Sequence, residues 1–237
     1  MDYPLKRRGI GSPDDMVRAV STKVFHGMAP LPSLDEAELD RLIDEVINSV
    51  AWWPGEIIPL QIPSPPAAKI PLLEWLAQEG FPEPELAEGD ALLLAEGSFF
   101  HHDGDDYAEN FFCVQWLGNG DPWDLLFPES GQRISLLPGT VVLFDPSNVH
   151  GVVYRGKDRF EQFGMGDQGV QPFTSLSLRM TPEYLSLFET SWRRAGPELD
   201  QSWTKYPFAL CQETGQLALL PSFSERHEAP TSADAVS

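Results

Sequence analysis

Residues 134–150 read ISLLPGTVVLFDPSNVH: an apolar run, a Pro-Gly turn, a second apolar run closing on Phe144-Asp145, a short loop and a histidine. The run Val141–Phe144 is too short for a helix and is bounded by turn-forming residues, the pattern of a buried strand. Outward from this stretch the pattern repeats. The runs ALLLAEGSFF (91–100), NFFCVQWL (110–117), RISLL (133–137), TVVLF (140–144), HGVVYR (150–155) and FTSLSLR (173–179) are rich in Val, Leu and Phe, with Gly, Pro, Asp and Asn between them. Six such runs between residues 89 and 180 predict a mainly β protein with a barrel or jelly-roll core, not a parallel sheet with crossover helices.

The flanks read differently. Residues 1–32 form an N-terminal arm, and residues 33–88 a helical and Pro-rich extension expected to pack on the core. Ser33 and Glu36 have capping-box spacing ahead of Leu39, Leu42, Ile43, Val46, Ile47 and Val50, which predicts one amphipathic helix. Prolines 54, 59, 63, 65 and 66 then favour extended chain, and a second helix is expected with Pro71 in its first turn and Gly80 at its end. Residues 181–223 supply a C-terminal helix starting at Thr181-Pro182 and running to Arg194, then a hairpin from PFALCQ and QLALLP. Residues 224–237 lack core-forming side chains and read as a disordered tail.

Composition narrows the function. With 237 residues, 42% hydrophobic and 22% charged, the chain has the make-up of one soluble globular domain with extensions. Sixteen basic against 36 acidic residues give a net charge of −20. Such a field repels phosphate backbones and anionic membrane surfaces, so neither nucleic acid nor membrane is an expected partner. No apolar run approaches the roughly 20 residues of a spanning helix. The first residues, MDYPLKRRGIGSPDD, carry no apolar stretch, and Cys113 and Cys211 make no disulfide framework, so a cytoplasmic location is expected.

Three of the five histidines sit in the β region: His101 and His102 in SFFHHDGD, and His150. On a strand, alternate side chains share a face, so His101 and Asp103 point one way and His102 the other. Two imidazoles and one carboxylate from His101, Asp103 and His150 would form a facial set that leaves three adjacent positions open on Fe(II). Other motifs carry less. Gly164 to Gly169 match G-x-G-x-x-G, but no helix is signalled at the last glycine, so the segment reads as a loop. The run Asp103-Gly104-Asp105-Asp106 lacks the EF-hand ligand order and reads as a solvated turn. Trp116 and Trp123 flank a loop that can contact substrate.

The H-x-D pair, the phrase LPGTVVLFDPSNVHGV and the stretch FFCVQWLGNGDPWDLLF together resemble the Fe(II)/2-oxoglutarate-dependent oxygenase superfamily over residues 89–180. The resemblance implies a double-stranded β-helix core with H-x-D after its second strand and the distal His at the start of its seventh. It implies that His101, Asp103 and His150 bind iron and that 2-oxoglutarate chelates the metal through its 2-oxo and C1-carboxylate groups. It also implies a hydroxylase releasing succinate and CO2, and the negative field is compatible with a small or amino-acid-like substrate or a basic peptide. One element departs from the family pattern: FTSLSLR has no basic residue at its start to hold the far carboxylate. Arg179, Arg159, Lys157 and Arg155 are the candidates, in that order, with Ser175 and Ser177 beside Arg179 on one strand face. The rival expectation is a cupin-like metal-binding barrel without oxo-acid turnover.

Overall fold

A computed structural model describes residues 4–6, 16–49, 55–63, 66–88, 91–118, 122–161, 170–194 and 208–219. The loop at 164–169 and the tail at 224–237 lie outside the described residues. The elements begin with β1 (Pro4–Lys6), β2 (Met16–Ala19), β3 (Val24–Met28), α1 (Glu36–Ser49), β4 (Ile57–Pro63), α2 (Pro66–Gln78) and β5 (Ala91–Ala95). They continue with α3 (Gly104–Tyr107), β6 (Asn110–Trp116), β7 (Trp123–Phe127), β8 (Gln132–Ser135), β9 (Thr140–Phe144) and β10 (Gly151–Tyr154). Last come β11 (Gln171–Arg179), α4 (Pro182–Leu187), β12 (Arg193–Arg194), β13 (Phe208–Leu210) and β14 (Leu217–Leu219).

Six strands in the order β3-β9-β6-β11-β5-β4 make the larger sheet and β10-β7-β8 the smaller, with antiparallel pairing throughout. The fold is mainly β, a jelly roll of the double-stranded β-helix kind with flanking helices. Alternation along the central strands explains why their apolar runs are nearly continuous, because both faces are covered. Phe111 and Cys113 of β6, Val141 and Leu143 of β9, and Leu176 and Leu178 of β11 pack with Leu72, Trp75 and Leu76 of α2. From the opposite face Trp116, Val142 and Phe144 meet Trp123, Leu125 and Phe127 of β7 and Val152 of β10. The outer face of the smaller sheet, with Leu126 and Val153, is covered by Val20 and by Leu210 and Leu217 of the β13–β14 hairpin.

Several sequence expectations shift in detail. FFCVQWLGNGDPWDLLF contains a second strand, β7, that is not among the six apolar runs. The polar residue inside it, Asp124, is buried but satisfied by Arg133 (3.1 Å), Ser135 (3.1 Å) and Arg155 (3.3 Å). Helix α1 begins at Glu36, and the Asp35 carbonyl accepts the Leu39 amide (2.9 Å), so Asp35 and not Ser33 precedes it. Helix α2 begins at Pro66, which leaves Pro71 in its interior, where the missing N–H removes one helical bond. Gly80 ends it as expected, with φ +77° and the paired bonds Phe81 N–H to Leu76 O (2.9 Å) and Gly80 N–H to Ala77 O (3.2 Å). Thr181 caps α4, but the helix stops at Leu187, and Arg193–Arg194 instead pairs with β2. Strand β3, from the N-terminal arm, adds to the larger sheet beside β9.

Candidate metal centre

The segment after β5 and the loop after β9 are joined by one two-way bridge: His101 N–H to His150 O (2.9 Å) and His150 N–H to His101 O (3.0 Å). Asp103 follows two residues later at the start of α3, its amide bonded to Pro146 O (2.8 Å). The expected shared face of His101 and Asp103 is therefore produced by a bridge and a helical turn, not by a continuous strand. Gly97 permits the approach, with φ +71° and the Phe160 ring where a Cβ would stand.

His101, Asp103 and His150 each offer a ligand atom, and these atoms lie within 4.8 Å of one another. An Asp103 carboxylate oxygen is 3.6 Å from His150 Nε2 and 3.9 Å from His101 Nε2. Each Nδ1 lies 2.8 Å from a carbonyl, that of Phe99 for His101 and that of Asn148 for His150. A carbonyl can only accept, so Nδ1 carries the hydrogen in both rings and both Nε2 lone pairs face the cluster.

Electrostatics points the same way. Burial pushes the Asp103 carboxyl above the ordinary carboxylate range, against the opposing pull of His101 and His102. Burial, and then the neighbouring His101, hold His150 well below the usual histidine value, so its imidazole is neutral. Two imidazoles with their Nε2 lone pairs turned to the cluster and a desolvated carboxylate are a donor set that a divalent cation would satisfy, and they fit iron.

The three residues open into a cavity of about 380 Å³ between the two sheets. Phe112, Val114 and Trp116 of β6 and Phe173, Ser175 and Ser177 of β11 line it, together with Tyr107 near the ligand atoms. Sequence reasoning missed Tyr107, which stands four residues after Asp103 and shares its helical turn. Burial and the charge of Asp103 raise the Tyr107 phenol, which keeps it a proton donor. Trp116 lines the cavity, whereas Trp123 is buried in the core between the sheets.

The expected carboxylate anchors lie elsewhere. Arg179 shares the strand parity of Ser175 and Ser177, but it is exposed two residues beyond the cavity's ligand end. Arg159 is half-exposed and pairs with Glu161 (3.8 Å) and Glu213 (3.7 Å). Lys157 pairs with Glu161 (3.0 Å), and Arg155 with Asp124 (3.3 Å). Among the described residues, no Arg or Lys lines the cavity.

The loop that delivers His150 is fastened by a residue the sequence did not single out. Arg18, fully buried on β2, binds both carboxylate oxygens of Asp145. Asp145 also accepts the amides of Ser21 (2.9 Å) and Ser147 (3.0 Å). An arginine in the N-terminal arm whose partner is 127 residues away leaves no short-range signal.

No protein-family model matches the chain, and no curated protein does. Among solved structures it is similar to a viral collagen prolyl hydroxylase from Paramecium Bursaria Chlorella virus-1, at 16% identity over 66% of this chain and 91% of that one, with a TM-score of 0.36. It is also similar to a Trichoplax adhaerens prolyl hydroxylase in complex with a hypoxia inducible factor peptide fragment, at 13% identity over 69% and 86%, with a TM-score of 0.39. A third is an oxidoreductase of the 2OG-Fe(II) oxygenase family from Burkholderia pseudomallei, at 14% identity over 62% and 78%, with a TM-score of 0.37. At these values the likeness carries no functional argument, and the site's own chemistry has to.

Proposed function

We propose that this chain is a mononuclear non-haem Fe(II) oxygenase that hydroxylates a small or amino-acid-like molecule, with a 2-oxo acid of the 2-oxoglutarate type as co-substrate. The observation behind this reading is the cluster of His101, Asp103 and His150, with both Nδ1 atoms tied to carbonyls and the free ligand atoms turned into a cavity. Bound Fe(II) would supply the activation of O2 that no side chain can. In the net reaction one oxygen atom enters the C–H bond of the substrate, and the other enters the carboxylic acid left when the oxo acid loses CO2.

The protein's contribution is orientation and exclusion of water. Phe112, Phe144 and Val152 wall the ligand atoms with apolar surface. The Tyr107 hydroxyl offers a protonated donor beside them. The net charge of −20 suits a cationic substrate, so a basic peptide is the second substrate class to assay.

The test is oxygen-dependent release of CO2 from a C1-labelled 2-oxo acid by the Fe(II)-loaded protein. Release is expected from wild type and from none of His101→Ala, Asp103→Ala and His150→Ala. A protein that binds the metal through these residues yet decarboxylates no oxo acid would be a cupin-like metal-binding barrel.

A further inference from the structure

Cavity polarity changes along one pair of strands. β6 and β11 are antiparallel with the partners Ser177↔Phe112, Ser175↔Val114 and Phe173↔Trp116, so six cavity-lining side chains form three rungs. The first rung is at the metal centre. The Phe112 ring lies 4.7 Å from that of Tyr107 and 6.1 Å from that of Phe144, which in turn lies 4.8 Å from the His150 ring. The last rung is four residues along the strand, roughly 13 Å away at about 3.3 Å per residue. There Phe173 and Trp116 stack at 5.9 Å and 14°.

Leu125 and Leu136 also line this cavity and pack in one apolar cluster with Trp116. The last rung's only polar group is the neutral indole N–H of Trp116, which is buried without a hydrogen-bond partner. The cations considered as anchors are elsewhere: Arg179 is exposed beyond the first rung, and Arg155, Lys157 and Arg159 pair with acidic side chains.

We infer that the cavity selects a 2-oxo acid with an uncharged, apolar tail over a dicarboxylate. This rests on the oxo-acid reading proposed above. The chelating head of either ligand meets the same polar end, so the tail decides. A second carboxylate pointing from the metal end toward the Phe173–Trp116 rung would be desolvated and, among the described lining residues, would meet neutral donors only, inside a chain of net charge −20. An alkyl or aryl tail there gains roughly fourfold in affinity for each methylene removed from water. The second carboxylate of 2-oxoglutarate therefore does not fit the described lining, whereas a monocarboxylate such as 4-methyl-2-oxopentanoate or phenylpyruvate does.

The experiment is calorimetric titration of the Mn(II)-loaded full chain with 2-oxoglutarate, 4-methyl-2-oxopentanoate and phenylpyruvate, which reads binding without turnover. At least one apolar oxo acid should bind ten times more tightly than 2-oxoglutarate or better. Phe173→Arg, which puts a guanidinium on the last rung, should reverse the order. If 2-oxoglutarate binds wild type as tightly as the apolar acids or more so, the inference falls while the oxygenase reading stands. If Mn(II) binds but no oxo acid does, that reading falls and takes the inference with it. The wild-type comparison decides even if the variant does not fold. A folded Phe173→Arg with unchanged order would overturn the placement of the tail.

Discussion

The two segments that carry the candidate ligands are held in opposite ways. Residues 145–150 are all buried, and their first residue is fixed by the Arg18 side chain and the Ser21 amide from the N-terminal arm and by the Ser147 amide within the loop. The Asn148 amide also bonds the Asp145 carbonyl (2.8 Å), which closes the loop on itself. Residues 101–103 are only partly buried, with side-chain exposures of 28% for His101 and 31% for Asp103 against 6% for His150. Three backbone hydrogen bonds tie them to residues 146 and 150 of the other segment, and the Asp103 carbonyl also accepts the Asp106 (3.1 Å) and Tyr107 (2.9 Å) amides of its own helical turn. The His150 loop is thus the template, and the H-x-D segment takes its position from it. Local opening should begin at 101–107, where fewer buried contacts resist it.

The largest test of this asymmetry is Arg18→Met. It would leave the Asp145 carboxylate buried with only backbone amides and no cation, and losing one partner of a buried pair typically costs about 3–5 kcal/mol. Chemical denaturation should show a loss of that size. Arg18→Lys should recover only part of it, because a single ammonium cannot serve both oxygens in the fork geometry of a guanidinium. A loss of less than about 1 kcal/mol for Arg18→Met would mean that the loop is not fastened from β2.

Removing the ligands one at a time sharpens the comparison. His101→Ala and His150→Ala should each weaken Mn(II) binding by roughly 100-fold or more, beyond what disturbing an outer partner of a metal ligand costs. Their stabilities should diverge. His150 is buried against Phe127 and Phe144 and bonds the Asn148 carbonyl, so its loss should cost about 1–3 kcal/mol. The half-exposed His101 should cost less than about 1 kcal/mol. Equal losses would contradict the division into template and follower.

How legible this arrangement was depends on which physical signal each part leaves in the chain. Strands β5, β6, β9, β10 and β11 announce themselves because their apolar residues serve two covered faces, and the ligand types stand in the segments that follow or join them. β7 does not, because Asp124 breaks its apolar run, and its partners Arg133, Ser135 and Arg155 make that burial tolerable. The end of α4 was hidden for a related reason. Tyr184, Leu185, Leu187, Phe188 and Trp192 keep helical spacing, yet Glu189 at φ +52° turns the chain toward β12. Arg18 was invisible since nothing local distinguishes a clamp from a surface arginine. Arg179 shows the converse: alternation gives its parity correctly, but parity does not say where along a strand a cavity ends.

A side chain exposed beyond the ligand end should contribute no more than an ordinary surface residue, within about 0.5 kcal/mol. Arg179→Ala should therefore change oxo-acid affinity by about twofold at most. A tenfold loss would place Arg179 in contact with the co-substrate and return the anchor to β11.

The smallest effect belongs to His102, which sits between two candidate ligands and so tests the local geometry most directly. It is not part of the cluster of ligand atoms and does not line the cavity. Its influence on the site is a charge effect: when protonated it favours ionised Asp103, and it adds to the effects that lower His150. Such an influence is that of a partly screened neighbour and not of a ligand. His102→Ala should accordingly shift Mn(II) affinity by less than about threefold, a change worth under 1 kcal/mol, while His101→Ala in the same buffer weakens it by roughly 100-fold or more. If the two variants lost metal equally, the His101–His150 bridge would not be what selects between adjacent histidines, and the follower segment would have to turn by one residue to present His102 instead.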